Sequence, residues 1–220
     1  MITISPNNKP GLIISVLTIL IICSCNSVYT PRPRGFFKID FPEHKYQVFD
    51  KAGYPYKFEY PLYANVVQDS SFFDEHPENP YWINIEFPQF HGKIYVSYIE
   101  IGGKSRFKVR GAKGNYIDSV GINTFNNLIR SSYALTYKHS SKASSINDSA
   151  FTTANNVDGI YFKIGGNAAT ANQFLVTDSV KHFLRGALYF DATPNADSLN
   201  IVNNFLQQDM KHLINSLTWK

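Results

Sequence analysis

Apolar positions fall into three patterns along the chain. The first is a block: Leu12 to Ile22 is apolar except for Ser15 and Thr18. The second is alternation between apolar and polar residues, the mark of a strand with one buried face. Tyr56-Lys57-Phe58-Glu59-Tyr60 alternates in this way. Trp82-Ile83-Asn84-Ile85-Glu86-Phe87 and Lys93-Ile94-Tyr95-Val96-Ser97-Tyr98-Ile99 predict successive strands around a turn near His91-Gly92. Further strands are expected around Ala143–Phe151, Gly159–Ile164, Gln173–Thr177 and His182–Phe190. Gly165-Gly166-Asn167 and Thr177-Asp178-Ser179 lie between them as turns.

The third pattern has helical spacing. Between Ile122 and roughly Lys142, the residues Ile122, Phe125, Leu128, Ile129 and Tyr133 share one face, with Asn126, Asn127 and Arg130 on the other. A closing helix carries Leu199, Val202, Leu206, Met210, Leu213 and Leu217 as its apolar stripe. Pro194 and Asn195-Ala196-Asp197-Ser198 supply its start signals. Asp69–Pro80 reads as an acidic, proline-bearing loop, and Gly102–Gly121 as a loop rich in glycine and lysine.

The order is strands, helix, strands, helix, which predicts one α+β domain over residues 36–220. Short turns join the strands, so a largely antiparallel sheet with two main helices packed on it is expected. This order, closed by a helix ending in Ser216-Leu217-Thr218-Trp219, resembles the Mog1/PsbP-like sandwich. That is a likeness of fold and says little about function.

The apolar block near the start is 11 residues long. As a helix it spans roughly 16 Å, well short of the ~30 Å hydrocarbon core of a bilayer. With Lys9 before it, the block reads as a secretory signal rather than a permanent span. It stops at Ile22-Cys23-Ser24-Cys25. A cut before Cys23 would follow the bulky Ile22, whereas a cut before Cys25 follows the small Ser24. Residues 1–24 therefore resemble a lipoprotein signal peptide, with Cys25 as the lipidated first residue of the mature chain. Such a cysteine resembles those that carry two or three acyl chains of the palmitate type. One chain alone holds only marginally, at about 0.8 kcal/mol per buried methylene, so several chains make the anchor lasting. An ordinary cleaved signal with two incidental cysteines is the alternative.

Residues 25–35 read as a tether. Thr30-Pro31-Arg32-Pro33-Arg34-Gly35 favours an extended backbone, and Ser27–Gly35 would reach roughly 28 Å at ~3.1 Å per residue. Asn26, Ser27 and Val28 follow Cys25 without an acidic cluster of the kind that resembles a surface-export signal. A body facing the periplasm is expected, on the outer membrane in preference to the inner.

Cleavage before Cys25 leaves 196 of the 220 residues and lowers the net charge from +4 to +3 by loss of Lys9. The basic residues are scattered, so nucleic acid is not an expected partner. Both cysteines lie in the leader region. The body must be held by packing alone in a compartment where disulfides could form. An aromatic share of 15% supplies much of that burial, and Phe36–Tyr63 is especially crowded. These rings are expected to pack across a sheet. A platform for a peptide or sugar is the alternative, which would make the chain a periplasmic ligand-binding or cell-wall-acting lipoprotein.

Motifs for chemistry are absent or incomplete. Gly102-Gly103-Lys104-Ser105 resembles the end of a phosphate loop, yet the position that needs the first glycine is Tyr98. Gly165-Gly166 enters a strand pattern, so a turn with positive φ explains it better than a phosphate cradle. His44, His76, His91, His139, His182 and His212 show no metal-ligand spacing. His139, His182 and His212 each follow a lysine, which disfavours protonation, so surface or capping roles are expected. Asp178, Ser179 and His182 share one turn, and Asp178 reads as a turn former rather than part of a triad. No catalytic, cofactor-binding or metal-binding residue emerges, and a non-enzyme without a cofactor is expected.

Several segments together resemble the GldD family of gliding-motility lipoproteins. They are Phe37-Lys38-Ile39-Asp40-Phe41-Pro42, Phe58-Glu59-Tyr60, Trp82-Ile83-Asn84-Ile85 and Leu135-Thr136-Tyr137-Lys138-His139. The longest runs from Gly166-Asn167-Ala168-Ala169 through Thr177-Asp178-Ser179 to Gly186-Ala187-Leu188-Tyr189-Phe190. Asp209-Met210-Lys211-His212-Leu213 and Trp219-Lys220 complete the likeness, which spans nearly all the mature chain. It implies an envelope lipoprotein needed for gliding motility and the associated type IX protein secretion, without an assigned catalytic residue. Expected partners are membrane lipid through Cys25 and other gliding and secretion lipoproteins or membrane components.

Overall fold

Alternating segments become strands where a partner sheet or helix is at hand to bury one face. The structure, a computed structural model, describes residues 38–68, 79–110 and 114–220. The leader, Cys25, the 25–35 tether and residues 69–78 of the expected acidic loop lie outside the described residues. Seven strands form the main sheet: β3 (Asn65–Gln68), β4 (Ile83–Phe87), β5 (Gly92–Glu100), β8 (Ala143–Thr152), β9 (Asp158–Gly166), β10 (Asn172–Thr177) and β11 (His182–Phe190). Their spatial order is β3-β4-β5-β11-β10-β9-β8, and every neighbouring pair is antiparallel. A second sheet joins β1 (Tyr46–Phe49), β2 (Tyr56–Pro61) and the two-residue β12 (Thr218–Trp219) in the order β1-β2-β12. Among the described residues, β6 (Lys104–Arg110) and β7 (Tyr116–Ile122) pair only with each other.

Two helices cover opposite faces of the main sheet, as the alternation along its strands shows. Leu175, Phe162 and Phe183 pack with Leu128, Ile129 and Tyr133 of α1 (Phe125–Tyr137). Their neighbours Phe174, Val176 and Tyr161 pack with Val202, Leu206, Met210 and Leu213 of α2 (Ala196–Ser216). The small sheet joins α2 on this second face, where Tyr56 and Phe58 meet the Ile83, Ile85, Ile94 and Val96 side. β10 is buried at all six positions because it is covered from both faces. The result is an α+β fold of two helices packed on antiparallel sheets, as expected from the order of elements.

Caps define the helix starts. The Asn195 side chain accepts from the Asp197 N–H, with the Asp197 carboxylate in the positive first turn of α2. Thr124 accepts from the Asn127 N–H at the start of α1. That helix is therefore shorter than the 122–142 periodicity suggested. Ile122 is the last residue of β7, and the chain leaves the helix after Tyr137.

Other differences have physical causes. Gly102–Gly121, expected as a loop, is mostly the β6–β7 hairpin, with Lys104–Arg110 paired in unbroken register against Tyr116–Ile122. β1, β3 and β12 also escaped notice, since each is four residues or fewer and takes its shape from its partner strand. Gly165 and Gly166 end β9 rather than forming a free turn, but Gly166 does hold φ +84. An added Cβ there would lie 2.7 Å from the Ser144 backbone nitrogen, at the bulge where Ser144 drops out of register. Gly186 sits opposite Phe174, and a side chain on it would collide with that fully buried ring.

Candidate functional site

α2 crosses the main sheet without reaching its β8 edge, and a cleft of about 530 Å³ is left between them. Its floor is the α2-facing side of β8 and β9. The register pairs Asn147 with Lys163, Ser149 with Tyr161 and Phe151 with Gly159, so these positions share that face. α2 supplies the far wall through Gln207, Lys211 and Asn215. Tyr161 is held from below: its hydroxyl donates to Asn172 Oδ1 (3.0 Å), which also accepts from Gln207 Nε2 (3.1 Å). Burial pushes the Tyr161 phenol well above its ordinary pKa, and the Gln207 hydrogen bond only partly offsets this, so it stays protonated. Lys211 Nζ stands 6.0 Å from the Tyr161 ring centroid. A smaller hollow of about 290 Å³ shares Lys163 and continues along α2 past Asn200, Asn203 and Asn204.

The chemistry of the cleft is that of binding. Its walls hold amides, hydroxyls, two ammonium groups and aromatic or aliphatic carbon, with no carboxylate, imidazole or thiol. No carboxylate, imidazole or thiol stands in the lining to activate the Ser149, Thr152 and Tyr161 hydroxyls or the Lys163 and Lys211 amines. Among the described residues, neither Lys163 nor Lys211 makes an ion pair, and both are exposed. No group of three or more His, Cys, Asp or Glu that could hold a metal occurs among the described residues. No described helix is long and apolar enough to cross a membrane.

Among the described residues, which exclude Phe36 and Phe37, the aromatic-rich stretch up to Tyr63 does not form a platform. Tyr54, Tyr56 and Phe58 are buried, and Phe41, Phe49, Tyr60 and Tyr63 pack against the same core. Rings meet as stacked and edge-to-face pairs, such as Phe49 on Phe58 (5.0 Å) and Tyr54 on Tyr56 (5.7 Å). This corrects the alternative of a ligand surface there.

Part of this stretch is instead gripped by α2. Phe205, Asp209 and His212 lie one helical turn apart in succession and form a stripe beside the apolar one. Phe205 stacks on Phe41 (4.4 Å) and on His44 (4.3 Å). Asp209, only 1% exposed, takes hydrogen bonds from His44 Nδ1 (2.7 Å), the Tyr46 hydroxyl (3.1 Å) and the Tyr63 hydroxyl. Burial and the Asp209 charge push the Tyr46 phenol up to about 12. His212 stacks on Tyr46 and pairs with Glu59 at 2.6 Å. His44, Tyr46, Tyr63 and Asp209 thus form a clasp that ties residues 41–46 to the closing helix.

The other histidines follow no common rule. His182 is buried rather than at the surface: its Nδ1 meets the Tyr98 hydroxyl at 2.8 Å, and its ring stacks on Trp219. Burial lowers its pKa, with the Asp178 charge opposing and Lys181 assisting. Asp178 behaves as expected of a turn former. Its Oδ1 accepts from the backbone N–H groups of Val180 (3.0 Å), Lys181 (2.8 Å) and His182 (2.8 Å). Burial raises the Asp178 pKa, but these three donors outweigh it and hold the carboxyl below its ordinary value. Ser179 and His182 are not joined to it as a triad. Gly102 is a tight-turn residue at φ +84 leading into β6, with no helix after it to cradle a phosphate.

The cleft itself left one trace in the sequence. Asn147, Ser149 and Lys163 are polar on a face where Phe174 and Val176 of β10 are buried, which signals a part of the sheet without a cover.

Comparison with known proteins bears on the whole chain. The family described as gliding motility lipoprotein GldD matches residues 26–219. No curated protein matches the chain. Among solved structures, cyanobacterial PsbP (CyanoP) from Synechocystis sp. PCC 6803 is similar at 12% identity and a TM-score of 0.45, over 86% of this chain and 98% of that one. A likeness of that size carries no argument about function.

Proposed function

The chain belongs to the GldD family of gliding motility lipoproteins, and from that premise we propose that it is a non-enzymatic, lipid-anchored accessory of the type IX secretion machinery. The family gives it a role in gliding motility and a place at a membrane of the cell envelope. In our reading, residues 1–24 are a signal peptide, and Cys25 carries acyl chains of the palmitate type. The body faces the periplasm, on the outer membrane in preference to the inner. It holds other gliding and secretion components in place. The observation that carries the non-enzymatic part is the make-up of the cleft, whose walls offer hydrogen bonds and positive charge but no carboxylate, imidazole or thiol to activate a nucleophile. The family's description as a lipoprotein supports the anchor.

Cys25→Ala tests this reading. The folded body has no thiol, so the variant is expected to keep its thermal midpoint and lose membrane association, gliding and secretion together. Fractionation of envelopes and a spreading assay read the outcome. A variant that stays membrane-bound and still glides would refute the anchor. Pull-down of the lipidated protein from detergent-solubilised envelopes then identifies what it holds.

A further inference from the structure

The main sheet has two edges, and among the described residues only one is guarded. Unpaired edge strands invite pairing with another chain, so proteins shorten them, bend them or place proline and lysine on them. β3 guards its edge by being four residues long. β8 is ten residues long and carries neither proline nor lysine. Its single irregularity is the bulge at Ser144, and from Ser145 to Thr152 it runs in unbroken register with β9. Its one acid, Asp148, is on the α1 side and is engaged by the Tyr133 hydroxyl at 2.9 Å. Among the described residues, no backbone hydrogen bond reaches Ser144–Thr152 from beyond β9. Most of the strand is exposed.

The cleft runs beside this edge. A strand laid along β8 would continue the pleat, so every second side chain would stand over the cleft beside Asn147, Ser149 and Phe151. There it would meet Lys163 and Lys211, whose charges no described carboxylate balances. Main-chain pairing along an edge gives affinity, and pockets for alternate side chains give selectivity. We propose that β8 accepts an extended, acidic segment of a partner protein as an eighth strand, with its alternate carboxylates over Lys163 and Lys211. This deepens the accessory role proposed above and rests on it.

The test uses the full chain in detergent and two blocked decapeptides, one alternating threonine with glutamate and the other threonine with lysine. The acidic peptide is expected to bind and to slow amide hydrogen exchange across 145–152. The double variant K163E/K211E, changed at two exposed positions, is expected to keep its thermal midpoint. It should bind the acidic peptide at least about tenfold more weakly and gain affinity for the basic one. Binding that leaves exchange in β8 unchanged would overturn the proposal. So would concentration-dependent dimerisation that protects β8, or protection already present and released by deleting residues 26–37. Envelope pull-downs separate the two levels. Partners captured equally by wild type and K163E/K211E sink the edge site and leave the accessory role standing. If neither captures a partner, the accessory role itself fails.

Discussion

At the scale of single residues, two side chains four positions apart, Asp178 and His182, hold one turn and one edge of the core. The hydrogen bonds of Asp178 stay within its own turn, so its role was legible from neighbours alone. His182 sits four positions further on and is buried rather than at the surface, because Tyr98 and Trp219 reach it from β5 and β12. Asp209 has a place in the sequence only as part of the family likeness; the fold alone brings His44, Tyr46 and Tyr63 to it. The buried imidazole has a consequence for pH. Its folded pKa lies below the unfolded value of about 6.5. Above that value both states are neutral and stability is full. As pH falls below it, the unfolded chain takes up the proton first, and stability declines toward the folded pKa. His139, lowered by burial and by Arg185, acts in the same direction. Urea unfolding at pH 7.5, 6.0 and 5.0 should show a falling midpoint. The His182→Gln variant should be less stable at pH 7.5 but show a shallower fall.

Among elements, legibility followed the degree of burial. β10 and β11 are covered on both faces, and the expected 173–177 and 182–190 agree with the strands to within one residue. The β6–β7 hairpin is the opposite case. Lys104, Arg106, Lys108 and Arg110 alternate as a strand should, but the apolar partners that make such alternation visible stand exposed on β7. Tyr116, Ile117, Val120 and Ile122 all face solvent, and among the described residues nothing in either sheet pairs with the ribbon. An isolated two-stranded ribbon is marginal in water. Amide exchange in 116–122 is therefore expected to be at least about a hundredfold faster than in β10, whose opening needs the core to open. Equal protection in the two would show that the hairpin is docked against a surface.

For the whole molecule, the order of elements was enough to predict helices on an antiparallel sheet, because each pattern demands a cover and few arrangements provide one. The division into a seven-stranded and a three-stranded sheet was not legible. The third strand of the small sheet is β12, two residues at the end of α2 that pair with Lys57 and Tyr56 across more than 150 positions of chain. The clasp closes the same circuit from the other end by tying residues 41–46 to α2. Asp209→Ala leaves three donors facing a buried gap, with an expected loss of about 2–4 kcal/mol in urea unfolding.

That clasp also decides where tension would be felt. With the proposed lipid at Cys25 and a partner held elsewhere on the body, any pull between membrane and partner enters the fold through residues 39–46. It meets Phe41 and His44 on Phe205 and Asp209 before it reaches any β-strand. The helix that closes the core thus bears load ahead of the sheets, together with Gln89 and Phe90, which hold Asp40 and Phe41. Pulled from its N-terminus, wild type should resist to a higher force than Asp209→Ala, and residues 39–46 should peel away first in the variant.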